Sequence, residues 1–451
     1  MKTASDMLPA RSRLLLPLAP FVGFAAARRH NVLLIAVDDL NTDLGCYGHP
    51  IVESPNIDRL ARRGTRFDRA YAQYPVCNPS RTSLLSGRYP ETTGVLDNRT
   101  NPRVNLKDAP FLPEHLRQHG YFTAHVGKIF HPGMDGPRDW HISLEPKGTP
   151  RGREGEGRNL TGGKFAFFHW IAAEGTDEDQ ADGQIAREVI RLFEEKRDRP
   201  FFIGAGFHKP HDPYVAPKRY FEPYPPERIP ATPGPPNDDA DLPPAALPPV
   251  RHNLGPQEGR EFRRAYYACI SFMDAQVGKV LDALERLRLA DNTVVILFGD
   301  HGLHLGEHGW WNKVTLFERS ARAPLIIAGP PVAHAGQACR RTVELVDLYP
   351  TLMELNGLPA PQGLEGRSLA PLLKDAEARW DKPGYTVVTR TGKLGRSVRT
   401  ERYRYTAWDE GRLGVELYDH DNDPNEFLNL AADPRYAAAR VEMKRFLGGK
   451  R

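Results

Sequence analysis

The sequence predicts an α/β fold, and three observations carry that reading. Short continuous apolar runs recur at 30–39, 201–207 and 293–301, the pattern of strands buried on both faces of a largely parallel sheet. Stretches with helical spacing lie between them, at 57–64, 111–120 and 179–196, and strands alternating with helices argue for helices packed onto a sheet. After Gly363 the pattern changes: strand-like runs at 387–390, 397–400, 403–408 and 415–418 are separated by turns, and a helical stretch at 433–447 follows. That last quarter reads as a small antiparallel sheet with a closing helix. For 451 residues, one large and one small unit is the natural division, with expected boundaries of 28–362 and 363–451.

Taken in order, the chain begins with Lys2, Arg11 and Arg13 ahead of an apolar stretch at 14–24 and three alanines at 25–27. A basic start, a short apolar core and an Ala-x-Ala end describe a secretory leader. Residues 1–27 are therefore expected to be a signal peptide, and the protein to be exported to a periplasmic, extracellular or lysosome-like compartment. The apolar stretch is too short to cross a bilayer, and no other stretch is apolar enough, so no membrane span is expected. A net charge of +4 is mild and points to no nucleic-acid partner; an anionic substrate needs only a local basic pocket. The four cysteines, Cys46, Cys77, Cys269 and Cys339, do not make a disulfide scaffold. Their spacing leaves open whether any pair forms among Cys46, Cys269 and Cys339.

The run at 30–39 ends in Asp38 and Asp39, and the run at 293–301 ends in Asp300 and His301. Ligands of α/β sheets gather beyond the carboxyl ends of the strands. Neighbouring carboxylates repel unless a cation lies between them, and three carboxylates with an imidazole suit a hard divalent ion such as Ca²⁺. Between these strands, residues 80–85 read as the first turns of a helix, with Pro79 tolerated near its start. Cys77 is then expected just before the free N–H groups of that helix, where an anion is stabilised. Arg81, one turn on, points back to the same spot. Basic groups follow in glycine-punctuated or strand-end segments: Lys128 and His131, His208 and His211, and Lys313. Two segments, 145–164, rich in glycine and charge, and 223–256, rich in proline, are expected to be long surface loops that shape a pocket mouth.

The run Cys77-Asn78-Pro79-Ser80-Arg81 resembles the signature of type I sulfatases. With Val37-Asp38-Asp39-Leu40, 127–133, 208–211, Asp300-His301-Gly302 and 305–309, the likeness extends over about residues 30 to 430. Within that family the chain is most similar to the iduronate-2-sulfatases and their bacterial relatives. The resemblance implies an alkaline-phosphatase-like sulfatase fold, a large mixed sheet flanked by helices with a small C-terminal antiparallel sheet. It implies that a maturation enzyme oxidises Cys77 to formylglycine, whose hydrate carries two hydroxyls; one attacks sulfur and the other later expels the sulfate. It implies one Ca²⁺ held by Asp38, Asp39, Asp300, His301 and the modified residue 77. Arg81 would hold the hydrate, and Lys128 and Lys313 would bind sulfate oxygens. His131 would take the proton that triggers sulfate release, and His211, with Lys313, would protonate the leaving alcohol. The implied substrate is a sulfated saccharide, such as a uronate 2-O-sulfate or a sulfated algal polysaccharide.

Two positions depart from the pattern. Leu303 stands after Asp-His-Gly where iduronate-2-sulfatase-like sequences often carry tryptophan, and Val314 follows Lys313. Both are expected to border the substrate, so iduronate specificity does not follow from the likeness. Two other readings stay open: a phosphonate or phosphate ester hydrolase using the same aldehyde and metal, and a non-catalytic carbohydrate-binding relative.

Overall fold

The computed structural model describes residues 29–235 and 237–448; the expected leader at 1–27 lies outside them. In chain order the first strands are β1 (Asn31–Val37), β2 (Gly64–Tyr71), β3 (Phe122–Gly127), β4 (Ile142–Leu144), β5 (Gly155–Asn159) and β6 (His169–Ala173). They are followed by β7 (Phe201–Phe207), β8 (Tyr214–Pro217), β9 (Thr293–Gly299), β10 (Arg322–Ala328) and β11 (Gln337–Glu344). Eight of these form one mixed sheet in the order β11-β2-β10-β9-β1-β7-β3-β4. β1 sits at its centre, parallel to β7 and β9, while β10 runs antiparallel to both of its neighbours.

The continuous apolar run of β1 follows from this position. Its alternate residues enter two different cores. Leu33, Ile35 and Val37 pack with the helices Ala181–Lys196 and Pro256–Arg286 on one face. Val32, Leu34 and Ala36 pack on the other face with Leu84, Leu112, Leu116, Leu348 and Leu352. The register then fixes what matters for function. Val37 lies opposite Phe207 on one side and Gly299 on the other, so β1, β7 and β9 end level. Residues 38, 208 and 300 leave the same edge of the sheet side by side.

The last quarter is an antiparallel meander, β12 (Gly384–Arg390), β13 (Lys393–Arg399), β14 (Tyr403–Trp408) and β15 (Val415–Asp419). The helix Ala437–Gly448 covers it, burying Met443 against Val398, Tyr405 and Leu417. All four cysteines are free. No helix among the described residues is long and apolar enough to cross a membrane.

Three details differ from expectation. The segment 145–164 is not all loop, because it contains β5, paired antiparallel with β6. The sequence Gly-Glu-Gly-Arg-Asn has little strand propensity, but Gly157 fits there because a Cβ would lie 2.1 Å from the Trp170 carbonyl oxygen. Pairing partners outweigh propensity at such a place. The helix after residue 76 begins at Cys77 itself rather than at residue 80, so Cys77 is its first residue and not a residue ahead of it. Pro79 then falls in the first turn, where a missing N–H leaves no bond unmade. Finally, the 31-residue helix Pro256–Arg286 and the strands β2, β10 and β11 were not anticipated at all.

Candidate active site

The acids leave the sheet edge as extensions of its ladder. Asp38 N donates to Phe207 O at 3.1 Å, and Asp300 N donates to Val37 O at 3.2 Å. Asp39 takes a left-handed conformation, φ 61°, which aspartate tolerates better than most residues. That turn lets its N–H donate to Asp300 Oδ1 at 3.0 Å. Carboxylate oxygens of Asp38, Asp39 and Asp300 all lie within 4.8 Å of one another, as do ligand atoms of Asp39, Cys77 and His301. The three acids are buried. His301 Nδ1 donates to Gly302 O at 2.9 Å, which turns Nε2 toward the acids. Nε2 lies 3.4 Å from Asp39 Oδ1 and 3.6 Å from Cys77 Sγ. An oxygen-rich, anionic set with one imidazole oriented from behind fits a hard divalent cation.

The helix Cys77–Ser86 carries residue 77 into this cluster, and every one of its residues is buried. So polar a helix can be buried only because its side chains find partners. Ser80 Oγ donates to the Asp300 carbonyl. Asn78 Nδ2 donates to Asp97 O and Thr100 O, both at 2.9 Å. Arg81 uses its whole fork: Nε to Asp300 Oδ2 at 2.8 Å, Nη2 to Asp38 Oδ1 at 3.2 Å, and Nη1 to the carbonyls of Lys128 and Ile129. One guanidinium thus ties β1, β9 and the turn after β3 to the helix of Cys77.

The other basic groups close the cluster. Lys128 Nζ contacts Asp38 Oδ2 at 2.5 Å. Lys313 Nζ contacts Asp39 Oδ1 and lies 3.4 Å from Cys77 Sγ. His211 Nε2 is 4.0 Å from both Asp38 Oδ2 and Asp39 Oδ2. His131 lies near enough to Cys77 to help lower its thiol, and its Nδ1 is buried without a hydrogen-bond partner.

The electrostatics follow from the packing. Burial pushes Asp38 up, but Lys128, His211, Arg81 and Lys313 together hold its carboxyl well below the usual range. Burial lifts Asp300 to about 6, against the pull of Arg81 and His301. Burial and Asp38 push the Cys77 thiol up, yet Lys313, Lys128 and His131 outweigh them and hold it well below its usual value. Burial would lower His211, but Asp39 and Asp38 raise it to about 9.

A cavity of about 740 Å³ opens beside His211, lined among others by His125, Glu145, Arg153, His208 and Asp212. A larger cleft of about 860 Å³ around Trp170 and Arg264 contains none of the clustered residues. The structure brings together Asp38, Asp39, Cys77, Arg81, Lys128, His131, His211, Asp300, His301 and Lys313. It does not place Leu303 at the substrate: that side chain is buried in the core, where strand and helix residues surround it, and its carbonyl accepts from Asn41 Nδ2 at 3.2 Å. Val314 instead packs against Ala245, Leu316, Val388 and Trp408. Tyr266, on the unanticipated long helix, was also missed. Its hydroxyl donates to Asp39 O at 2.7 Å and accepts from Asn41 N at 2.9 Å, bracing the acidic turn. No local pattern marks such a tyrosine as different from a core aromatic.

The chain matches the sulfatase family over residues 30–358, and the C-terminal region described as N-sulphoglucosamine sulphohydrolase, C-terminal, over residues 306–451. It is 35% identical to a sulfatase of Formosa agariphila, over 92% of this chain and 86% of that protein. It is 34% identical to the iduronate 2-sulfatase of Mus musculus, over 92% and 93% of the two chains. A choline-sulfatase of Rhizobium meliloti is 32% identical over 90% of this chain and 83% of its own length. Among solved structures, the phosphonate monoester hydrolase of Agrobacterium radiobacter superposes with a TM-score of 0.77 at 25% identity, covering 93% of this chain and 95% of that one. A protein in complex with its substrate D-glucosamine-2-N,6-O-disulfate superposes with a TM-score of 0.76 at 24% identity, covering 93% and 97%, a likeness of fold.

Proposed function

Because the chain belongs to the sulfatase family, we propose that it hydrolyses a sulfate ester of a carbohydrate at the cluster around residue 77. It is a sulfuric ester hydrolase on an alkaline-phosphatase-like fold. The observation that carries the reading of the site is the convergence on Cys77 of three buried carboxylates, Arg81, two lysines and three histidines. Conversion of Cys77 to formylglycine by a maturation enzyme would supply a hydrated aldehyde as the nucleophile. A Ca²⁺ held by Asp38, Asp39, Asp300, His301 and residue 77 would supply positive charge beside that hydroxyl and the sulfate.

The chain's own groups would do the rest. Arg81, fixed by four acceptors, orients residue 77. Lys128 and Lys313 present ammonium groups where charge gathers on the sulfate oxygens. His211 stands on the cavity side and gives a proton to the departing alcohol, and His131 takes the proton from residue 77 as sulfate leaves. Splitting transfer from release in this way is covalent catalysis. The leader-like segment at 1–27 supports export.

The likeness to an iduronate 2-sulfatase over 92% of the chain supports a sulfated sugar, a uronate 2-O-sulfate being one candidate. A desulfation screen tests this: defined sulfated saccharides beside choline sulfate and an aryl phosphonate monoester. The reading expects sulfate from at least one saccharide, and faster than phosphonate hydrolysis. Turnover of the phosphonate alone, or of choline sulfate alone, would refute it.

A further inference from the structure

Lys313 reaches Cys77 from a backbone that is held in an unusual shape. Val314, the next residue, has φ 71°. A β-branched residue in the left-handed region is strained, and such strain persists only where the surroundings impose it. The surroundings are visible. Lys313 N donates to Asn312 Oδ1 at 2.8 Å, and Lys313 O accepts from Trp310 Nε1 at 2.8 Å. Val314 O accepts from Arg390 Nη2 at 2.6 Å.

Arg390 is the last residue of β12, in the C-terminal sheet. Its other hydrogen bond runs from Nε to Ala245 O at 3.1 Å, and its guanidinium lies 5.5 Å from the centre of the Trp408 ring. It is buried, yet its hydrogen-bond partners are carbonyls. A buried guanidinium whose hydrogen bonds go to two carbonyls is a costly way to fasten a loop, because its burial outweighs the attraction of Tyr74 and Glu416. The same strand also grips the other side of the site. Thr386 Oγ1 donates to Ala72 O at 2.8 Å, Val387 N to Gln73 O at 2.9 Å, and Thr389 N to Tyr74 Oη at 3.0 Å. Residues 72–74 lead directly into Cys77.

We propose that Arg390 is a positioning residue: through it the C-terminal sheet holds the strained Lys313–Val314 backbone and so sets the Lys313 ammonium against residue 77. β12 bridges the segments that carry Cys77 and Lys313, and the spacing of the two is a property of that strand. The inference rests on the reading of Lys313 as a sulfate-binding group.

The test is a double-mutant cycle on the matured full chain with an activated aryl sulfate, on which residual activity stays measurable. Arg390→Met should lower kcat/KM about tenfold when Lys313 is present and less than about twofold in a Lys313→Ala background, because only a misplaced lysine can be felt. Arg390→Lys should recover part of the loss. Val314→Gly should leave Tm unchanged or higher while kcat falls, since it releases strain and placement together. Equal losses from Arg390→Met in both backgrounds, or full kcat in Val314→Gly, would overturn the inference. Should Arg390→Met fail to fold, Val314→Gly in both backgrounds completes the same cycle. A fully active Lys313→Ala would remove the reading of Lys313 itself, whereas an impaired Lys313→Ala beside a wild-type Arg390→Met would remove the positioning role alone.

Discussion

Arg81 shows how much of the site depends on single side chains. It is buried with four acceptors from three segments, so its loss would take the guanidinium from Asp300 and leave Asp38 to Lys128 alone at hydrogen-bond distance. Removing one partner of such a buried set costs about 3–5 kcal/mol. Arg81→Met is therefore expected to destabilise the fold as well as abolish turnover, whereas Asp38→Asn should keep the fold and lose most activity; a Tm and a rate for each separate the two. The histidines divide by leaving group. His211→Ala should be severely slowed on a sugar sulfate and much less on an aryl sulfate, which needs little protonation. His131→Ala should be slow on both. Equal losses on both substrates in His211→Ala would contradict the assignment. The acids, Cys77, Arg81 and the lysines were legible because each ends an apolar run or sits in a recognisable short motif. Ser80 on the Asp300 carbonyl and Tyr266 on the Asp39 carbonyl were not, because a serine in a helix and a tyrosine among core aromatics look ordinary until distant segments meet.

Among the elements, the buried central strands were legible and the edges were not. β1, β7 and β9 are covered on both faces and read as unbroken apolar runs. β2 alternates buried and half-buried positions with Arg66, Asp68 and Arg69 in between, and so gives a mixed signal. β5 carries two glycines and three polar residues and exists only because β6 pairs with it. In the C-terminal sheet the titration of Glu416 bears on stability. Burial raises Glu416 from 4.5 to about 7, although Trp408 Nε1 and Tyr418 Oη donate to it at 2.6 and 2.7 Å. A carboxyl with a raised folded value binds its proton more tightly when folded. Its stabilising contribution is full below about pH 4.5 and is lost as pH rises through 7, on the order of 3 kcal/mol in all. Glu416→Gln should flatten the fall in Tm between these limits. An unchanged slope in thermal melts across that range would contradict the origin assigned to it.

For the whole molecule, the level ends of β1, β7 and β9 bring residues far apart in sequence to one edge, and the family likeness in the sequence already implied that architecture. What the sequence did not show is how the C-terminal sheet reaches the site, since Arg390 and Thr386 act through carbonyls that leave no trace in composition. A cation held by the three acids would bind the folded chain and not the unfolded one. Chelation should therefore lower Tm, by an amount equivalent to about 2.7 kcal/mol where the free ion had stood at 100 times its Kd, and Asp300→Asn should abolish that response. The central claim is that residue 77 carries the chemistry of a sulfate ester hydrolase. It is tested most directly by the rate of sulfate release from an aryl sulfate by the matured chain and by Cys77→Ala. The Cys77→Ala variant, folded and with an unchanged Tm, should fall to the rate of a blank reaction. A Cys77→Ala protein that releases sulfate at the rate of the unaltered chain would contradict it.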